Sequence, residues 1–132
     1  MIGKVKERLA ALGITLSNEP TSTDGYLVNF AVDKTVNHIN NQTNLPTVPE
    51  GLTQVAIDMA VGEFLFAKKS MGLLQIDALN FELISKRVKD GDTDVEFAVD
   101  AKSTPEAKFD AFLHYLQHNE VDFVKYRVFT WP

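Results

Sequence analysis

The segment 52–65 restricts the fold of this sequence more than any other. Apolar residues at helical spacing lie on one side of it, and a second apolar set lies on the other. A helix that is apolar nearly all round has to be buried, so the segment is predicted to be the central helix of a helical domain. The helix should start near Pro49 and run to about Ser70. Its acidic residues, Asp58 and Glu63, are interpreted as an exposed polar strip, although a buried ion pair or a subunit contact would also account for them.

Three other segments have the spacing of amphipathic helices. The first occupies the N-terminus and should end at Gly13, because glycine readily adopts the left-handed conformation that closes a helix. The second should begin at Asp24, a plausible N-cap, and unravel in the asparagine-rich segment 40–44. The last has an N-cap signal at 103–104, Pro105 at its first position and Glu106 in its first turn. The sequence therefore predicts about four helices.

Residues 84–97 break this helical pattern. A two-residue Asp90-Gly91 turn would set Lys89 opposite Asp92 and Arg87 opposite Asp94, two attractive pairs worth about 0.2–1 kcal/mol each. A lone hairpin is marginal in water, so it has to pack on its own helices or on a neighbouring subunit. The predicted fold is mainly α, a small bundle of about four helices with one inserted β-hairpin at about 84–99. All of it belongs to one domain, residues 1–132.

Composition excludes several classes of protein. The chain has 132 residues, a formal net charge of −5 and no cysteine. The charge argues against a protein that grips nucleic acid through its phosphates, and the absence of cysteine excludes disulfides and thiolate sites. No run approaches the roughly 18 apolar residues of a membrane span, and the charged N-terminus is unlike a signal peptide. A soluble, cytoplasmic product with no membrane partner is expected.

The sequence contains only weak candidates for catalytic or metal-binding residues. His114 and His118 lie four residues apart on the last predicted helix, a spacing that could offer two nitrogens to a metal, but no glutamate follows the first histidine as in a metalloprotease helix. The alternation of Asp90, Asp92 and Asp94 resembles a calcium loop without its required glycine and final glutamate. No catalytic triad, phosphate-binding glycine loop or nucleotide fingerprint is present. The prediction is a protein that is not an enzyme and has no cofactor.

The C-terminal tail, residues 121–132, is aromatic and basic without helical spacing. It could pack Phe123, Tyr126 and Trp131 onto the helices of its own domain, because aromatic burial is strongly favourable. It could equally act as a docking arm, since termini reach partners easily and Tyr, Trp and Arg are favoured anchors. Arg127 belongs to the same segment. Both interpretations can hold together.

Six segments, in this order and spacing, resemble the phage head-tail connector family, also called head completion or adaptor proteins, which has relatives in prophages. The resemblance covers nearly the whole chain and consists of structural signatures rather than reactive groups. The segments are Val5-Lys6-Glu7-Arg8-Leu9, Asn37-His38-Ile39-Asn40-Asn41-Gln42-Thr43, Pro49-Glu50-Gly51-Leu52 with the following residues 56–65, Lys89-Asp90-Gly91-Asp92-Thr93, Thr104-Pro105-Glu106-Ala107 and Asp122-Phe123-Val124-Lys125-Tyr126-Arg127.

The resemblance implies a structural virion protein, made in the host cytoplasm and found in the virion. Its subunits would form a ring of about twelve copies beneath the portal protein and receive the tail or a stopper (head-closure) protein. DNA would pass through the axial channel without specific binding, as the acidic charge allows. Two alternatives remain, a small helical metal-dependent enzyme and an acidic protein-binding module. The residues expected to serve assembly are Arg87, Lys89, Asp92 and Asp94 in the hairpin and Phe123, Tyr126, Arg127 and Trp131 in the tail.

Overall fold

The computed structural model describes residues 1–14, 16, 23–74, 104–117, 123 and 125–128. These residues form four α-helices and a 3-10 helix, and they contain no strand. The mainly α prediction is confirmed for this part of the chain, whereas the predicted hairpin at about 84–99 lies outside the described residues. The helices are α1 (Ile2–Ala11), α2 (Thr23–Thr43), α3 (Thr53–Ser70) and α4 (Pro105–Gln117), and the 3-10 helix Glu50–Leu52 precedes α3.

Helix α3 is the centre of the bundle, as its apolar pattern predicts. Its buried residues lie on both of its apolar sides, and α1, α2 and α4 all pack against it. Helix α2 runs antiparallel to α3, because Asp24 near its start pairs with Lys68 at 2.8 Å and Lys34 pairs with Glu63 at 3.0 Å. Helix α4 is antiparallel to α3 as well, since Lys69 near the end of α3 pairs with Asp110 in the middle of α4, whereas Glu63 earlier in α3 bonds to Gln117 at the end of α4.

The main core is built from all four helices. Aromatic and aliphatic side chains from the inner faces of α1, α2 and α4 surround the apolar residues of α3. Gly62 lets α4 approach closely, because a Cβ atom there would lie 2.9 Å from Cγ of Gln117 and 3.1 Å from Cβ of Leu116. The largest fully buried members are Phe64, Phe109, Phe112 and Leu9.

Three helices end in the same hydrogen-bonded motif. After α1, Gly13 has φ of 83° and Ile14 donates its amide to Leu9 O at 3.0 Å. After α3, Gly72 has φ of 71° and Leu73 donates its amide to Lys68 O at 2.9 Å. A left-handed residue followed by such a bond defines the Schellman motif, which satisfies carbonyls that the helix leaves open. The predicted helix end at Gly13 is confirmed.

The predicted starts of the helices agree less well with the structure than the predicted end at Gly13. Thr104 caps α4, because its Oγ1 accepts a hydrogen bond from the Ala107 amide at 3.2 Å, and Pro105 is the first helical residue as predicted. Pro49 precedes the 3-10 helix, and α3 begins only at Thr53. The predicted N-cap residue of α2, Asp24, lies inside the first turn of the helix, which begins at Thr23, and its carboxylate binds Lys68.

Candidate functional site: the C-terminal segment and its groove

A second apolar cluster, separate from the main core, lies where α2 ends and α3 begins. Phe123 is 1% exposed and packs there against α2, α3 and the 3-10 helix. The His38 ring approaches the Phe123 ring edge-on with centroids 5.9 Å apart. We call this site the tail groove; its buried lining is Ile39, Leu52, Ala56 and Met59.

Tyr126 occupies the edge of the tail groove. It is half-buried and packs on the same cluster, directly above the backbone of Gly51. A Cβ atom at position 51 would lie only 1.9 Å from the Tyr126 hydroxyl oxygen, so glycine leaves the space that the phenol fills. Gly51 itself is exposed. Any larger residue at this position would compete with Tyr126 for its place.

The last described residues bind the C-terminus of α2 through hydrogen bonds. Helix α2 ends in a Schellman motif with Asn44 at φ of 61°, and Leu45 donates to Asn40 O at 3.2 Å. The next open carbonyls of the helix belong to residues 42 and 43. Val128 donates its amide to the carbonyl of residue 43 at 2.7 Å, and Arg127 donates from Nε to the carbonyl of residue 42 at 3.0 Å.

This arrangement is favourable for two reasons. Arg127 brings a positive charge to the negative end of the helix dipole, an effect worth about 0.3–1 kcal/mol at the surface. The Asn44 side chain also donates from Nδ2 to Val128 O at 3.0 Å, so both backbone groups of Val128 are bound to the end of α2. The tail therefore completes the cap of α2, and its backbone is recognised together with its aromatic side chains.

The acidic residues of α3 correct the sequence interpretation. Asp58 and Glu63 are about one-fifth exposed rather than plainly exposed, and both are paired. Asp58 accepts a hydrogen bond from Nη1 of Arg8 on α1. Glu63 accepts one bond from Lys34 on α2 at 3.0 Å and another from Gln117 on α4 at 3.2 Å. These residues fix the positions of the outer helices on α3.

Burial raises the pKa of Asp58 above its ordinary value, because desolvation outweighs the charge and hydrogen bond of Arg8. A carboxyl group whose pKa is higher in the folded than in the unfolded chain makes its full contribution to stability at pH values below the unfolded pKa. This contribution is lost as the pH rises through the folded pKa. Asp58 therefore opposes folding more at neutral pH than in acid.

Asp58→Asn should reveal this effect as a pH dependence. The difference in free energy of unfolding, wild type minus variant, should be largest below pH 3.8 and should fall as the pH rises toward neutrality. Urea melts at a series of pH values measure it. The same substitution at the exposed Asp33 controls for the loss of one negative charge. A difference that grows with pH would contradict the prediction.

No family model, curated protein or solved structure matches this chain. Among the described residues, no helix is long and apolar enough to cross a membrane. The same residues contain no group of three or more His, Asp or Glu side chains that could hold a metal ion. His114 is exposed on α4, and His118, its predicted partner, lies outside the described residues.

The predicted assembly residues are divided between two parts of the chain. The structure brings Phe123, Tyr126 and Arg127 together at the tail groove, so packing of the two aromatic residues on the helices of their own domain is confirmed. Their role in assembly remains a prediction. The predicted residues outside the described part of the chain are Arg87, Lys89, Asp92, Asp94 and Trp131.

Sequence reasoning missed the receptor side of this site. In the sequence, Gly51 is only part of a segment leading into α3, and Asn44 is only a residue that ends α2. An asparagine after a helix favours the left-handed conformation, and this signal could have located the cap. Nothing in the sequence joins that cap to a segment 84 residues further along the chain.

Proposed function

We propose that this protein is a structural virion protein, a head-tail connector that forms a ring beneath the portal protein and leaves a channel for DNA. The mainly α bundle agrees with the fold that the family resemblance implies. The hairpin of the proposed connector would be inserted between α3 and α4. Because these helices are antiparallel, Leu74 and Thr104 both belong to the end of the bundle where α3 finishes and α4 starts. This arrangement suits an inserted arm.

The observation that best supports an assembly function is the set of exposed apolar residues at the end of the bundle where α3 finishes and α4 starts. The Asp24–Lys68 pair sets the start of α2 beside the end of α3, so exposed large apolar residues of both segments lie toward the same end of the bundle. Phe66, for example, is 52% exposed. Exposed apolar groups concentrated in one region are typical of protein interaction sites. The exposed residues at this end are Tyr26, Phe30, Phe66, Met71 and Leu73.

Electron microscopy of the purified protein mixed with the purified portal of the same phage or prophage tests the proposal. We expect closed rings on one face of the portal. A variant in which residues 86–95 are replaced by a short glycine turn should keep its helical circular dichroism but lose the rings. If this variant still caps the portal, the hairpin is not the assembly element, and the tail from Phe123 to Trp131 becomes the better candidate.

Other outcomes would support the alternatives. Stoichiometric zinc or another divalent ion in the purified protein, absent from a His114→Ala variant, would favour a metal-dependent enzyme. A complex of fixed size with one partner and no ring would favour an acidic binding module. Genes for portal, major capsid and tail proteins on both sides of the coding sequence would favour the connector.

A further inference from the structure

The C-terminal segment is separable from the rest of the fold. The main core contains residues of all four helices and none from the described tail residues 123 and 125–128. Phe123 belongs only to the second cluster, at the tail groove. Loss of the contacts of these described residues would therefore uncover the tail groove and leave the described main core packed.

The tail groove recognises a short segment by three features. It takes one aromatic ring in its apolar floor, a second aromatic ring over Gly51, and one backbone amide and carbonyl at the end of α2. All of these interactions join residues far apart in the sequence, and the hydrogen bonds span 84 or 85 residues. Each interaction would be the same if the segment came from another copy of the chain, because every copy carries both the segment and the groove.

We propose that the tail groove is a docking site for the C-terminal segment of a second copy, and that neighbouring copies exchange this segment. Exchange of identical elements costs little, because the same side chains and backbone groups meet in the groove whichever copy supplies the segment. Gln117 and Phe123 are six residues apart, which limits the span to about 20 Å. Only a copy packed closely against α4 can therefore receive the segment. The inference does not rest on the connector proposal, since two copies could exchange tails in any assembly.

Two full-length variants with complementary defects provide the test. Phe123→Ala lacks the ring that anchors the tail and should leave its own groove open. Gly51→Leu fills the place of Tyr126 and should release an intact tail from a blocked groove. Each variant alone lacks one partner of the interaction. When they are mixed, the released tail should enter the open groove.

We expect a complex with the mass of two chains only in the mixture. Analytical ultracentrifugation at about 100 µM of each chain would detect it, because a complex with a Kd of about 10 µM is mostly formed at that concentration. Persistence of two monomers in the mixture, with both variants folded by circular dichroism, would overturn the proposal. This result would leave the portal experiment unaffected, so the two proposals fail separately.

Matched controls establish which interaction holds the complex. Glu50→Leu places the same side chain one position earlier on the 3-10 helix, next to Gly51. A mixture of Glu50→Leu with Phe123→Ala should form no complex. A Gly51→Leu chain that also carries Phe123→Ala should not bind either, because no intact tail remains. If Phe123→Ala fails to fold, Tyr126→Ala provides the open groove instead, since this side chain is only half-buried. A complex that survives the double substitution would show that another surface joins the copies and would overturn the proposal.

Discussion

Phe64→Ala should lower the free energy of unfolding by about 3–5 kcal/mol. Phe64 is 0% exposed, lies on α3 and belongs to the main core that all four helices share. Truncation removes the transfer free energy of the ring and leaves a cavity that helices packed on several sides cannot close. The total stability of a domain of this size is about 5–15 kcal/mol, so the variant should lose a large part of it.

The same substitution two residues along the helix is the matched control. Phe66 is 52% exposed, so Phe66→Ala should change the free energy of unfolding by less than about 0.5 kcal/mol. Urea melts of both variants, followed by circular dichroism, make the comparison. Equal losses at the two positions would show that α3 does not hold its buried position in solution.

The central position of α3 was predictable because its apolar pattern depends on local sequence alone. A helix with apolar residues on both sides has only one stable environment, whichever helices supply it. The cap at Thr104 and the helix end at Gly13 were predictable for the same reason, since each is decided within a few residues.

Pairing of the α3 carboxylates was not predictable to the same degree. The sequence favours exposure of Asp58 because a carboxylate on a helix surface usually is exposed. Its partner, Arg8, lies 50 residues away, and Lys34 lies 29 residues from Glu63. Only the packing of α1 and α2 on α3 brings these charges together, and the sequence alone does not specify that packing.

The tail illustrates a partial success. Aromatic composition predicted burial of Phe123 and Tyr126, and the structure agrees. The receptor remained hidden because it combines the end of α2, the 3-10 helix and the start of α3, and no sequence signal shows that these three elements meet at one site. Backbone carbonyls at the end of α2 accept hydrogen bonds whatever the side chains are, so residue types in the sequence do not identify them as part of the site.

Phe123→Ala should release the C-terminal segment while the bundle stays folded. A buried phenylalanine truncated to alanine costs about 3–5 kcal/mol when its surroundings stay in place. The described residues of this segment are not part of the main core, so the segment can detach instead of leaving a cavity. The loss is then limited to the free energy that docked the segment. Opening of this kind is local and leaves the global transition of the domain nearly unchanged.

Hydrogen exchange of single amides distinguishes local release from global unfolding. The Val128 amide, which bonds to the α2 terminus at 2.7 Å, should lose protection by about 100-fold or more, since each 1.4 kcal/mol is a factor of ten. Amides of α3 should keep their protection from hydrogen exchange. Lys125→Ala, at an exposed position of the same segment, should leave both sets unchanged. If α3 amides lose protection as much as Val128 does, then Phe123 stabilises the whole bundle, and the tail is not a separable element that neighbouring copies could exchange.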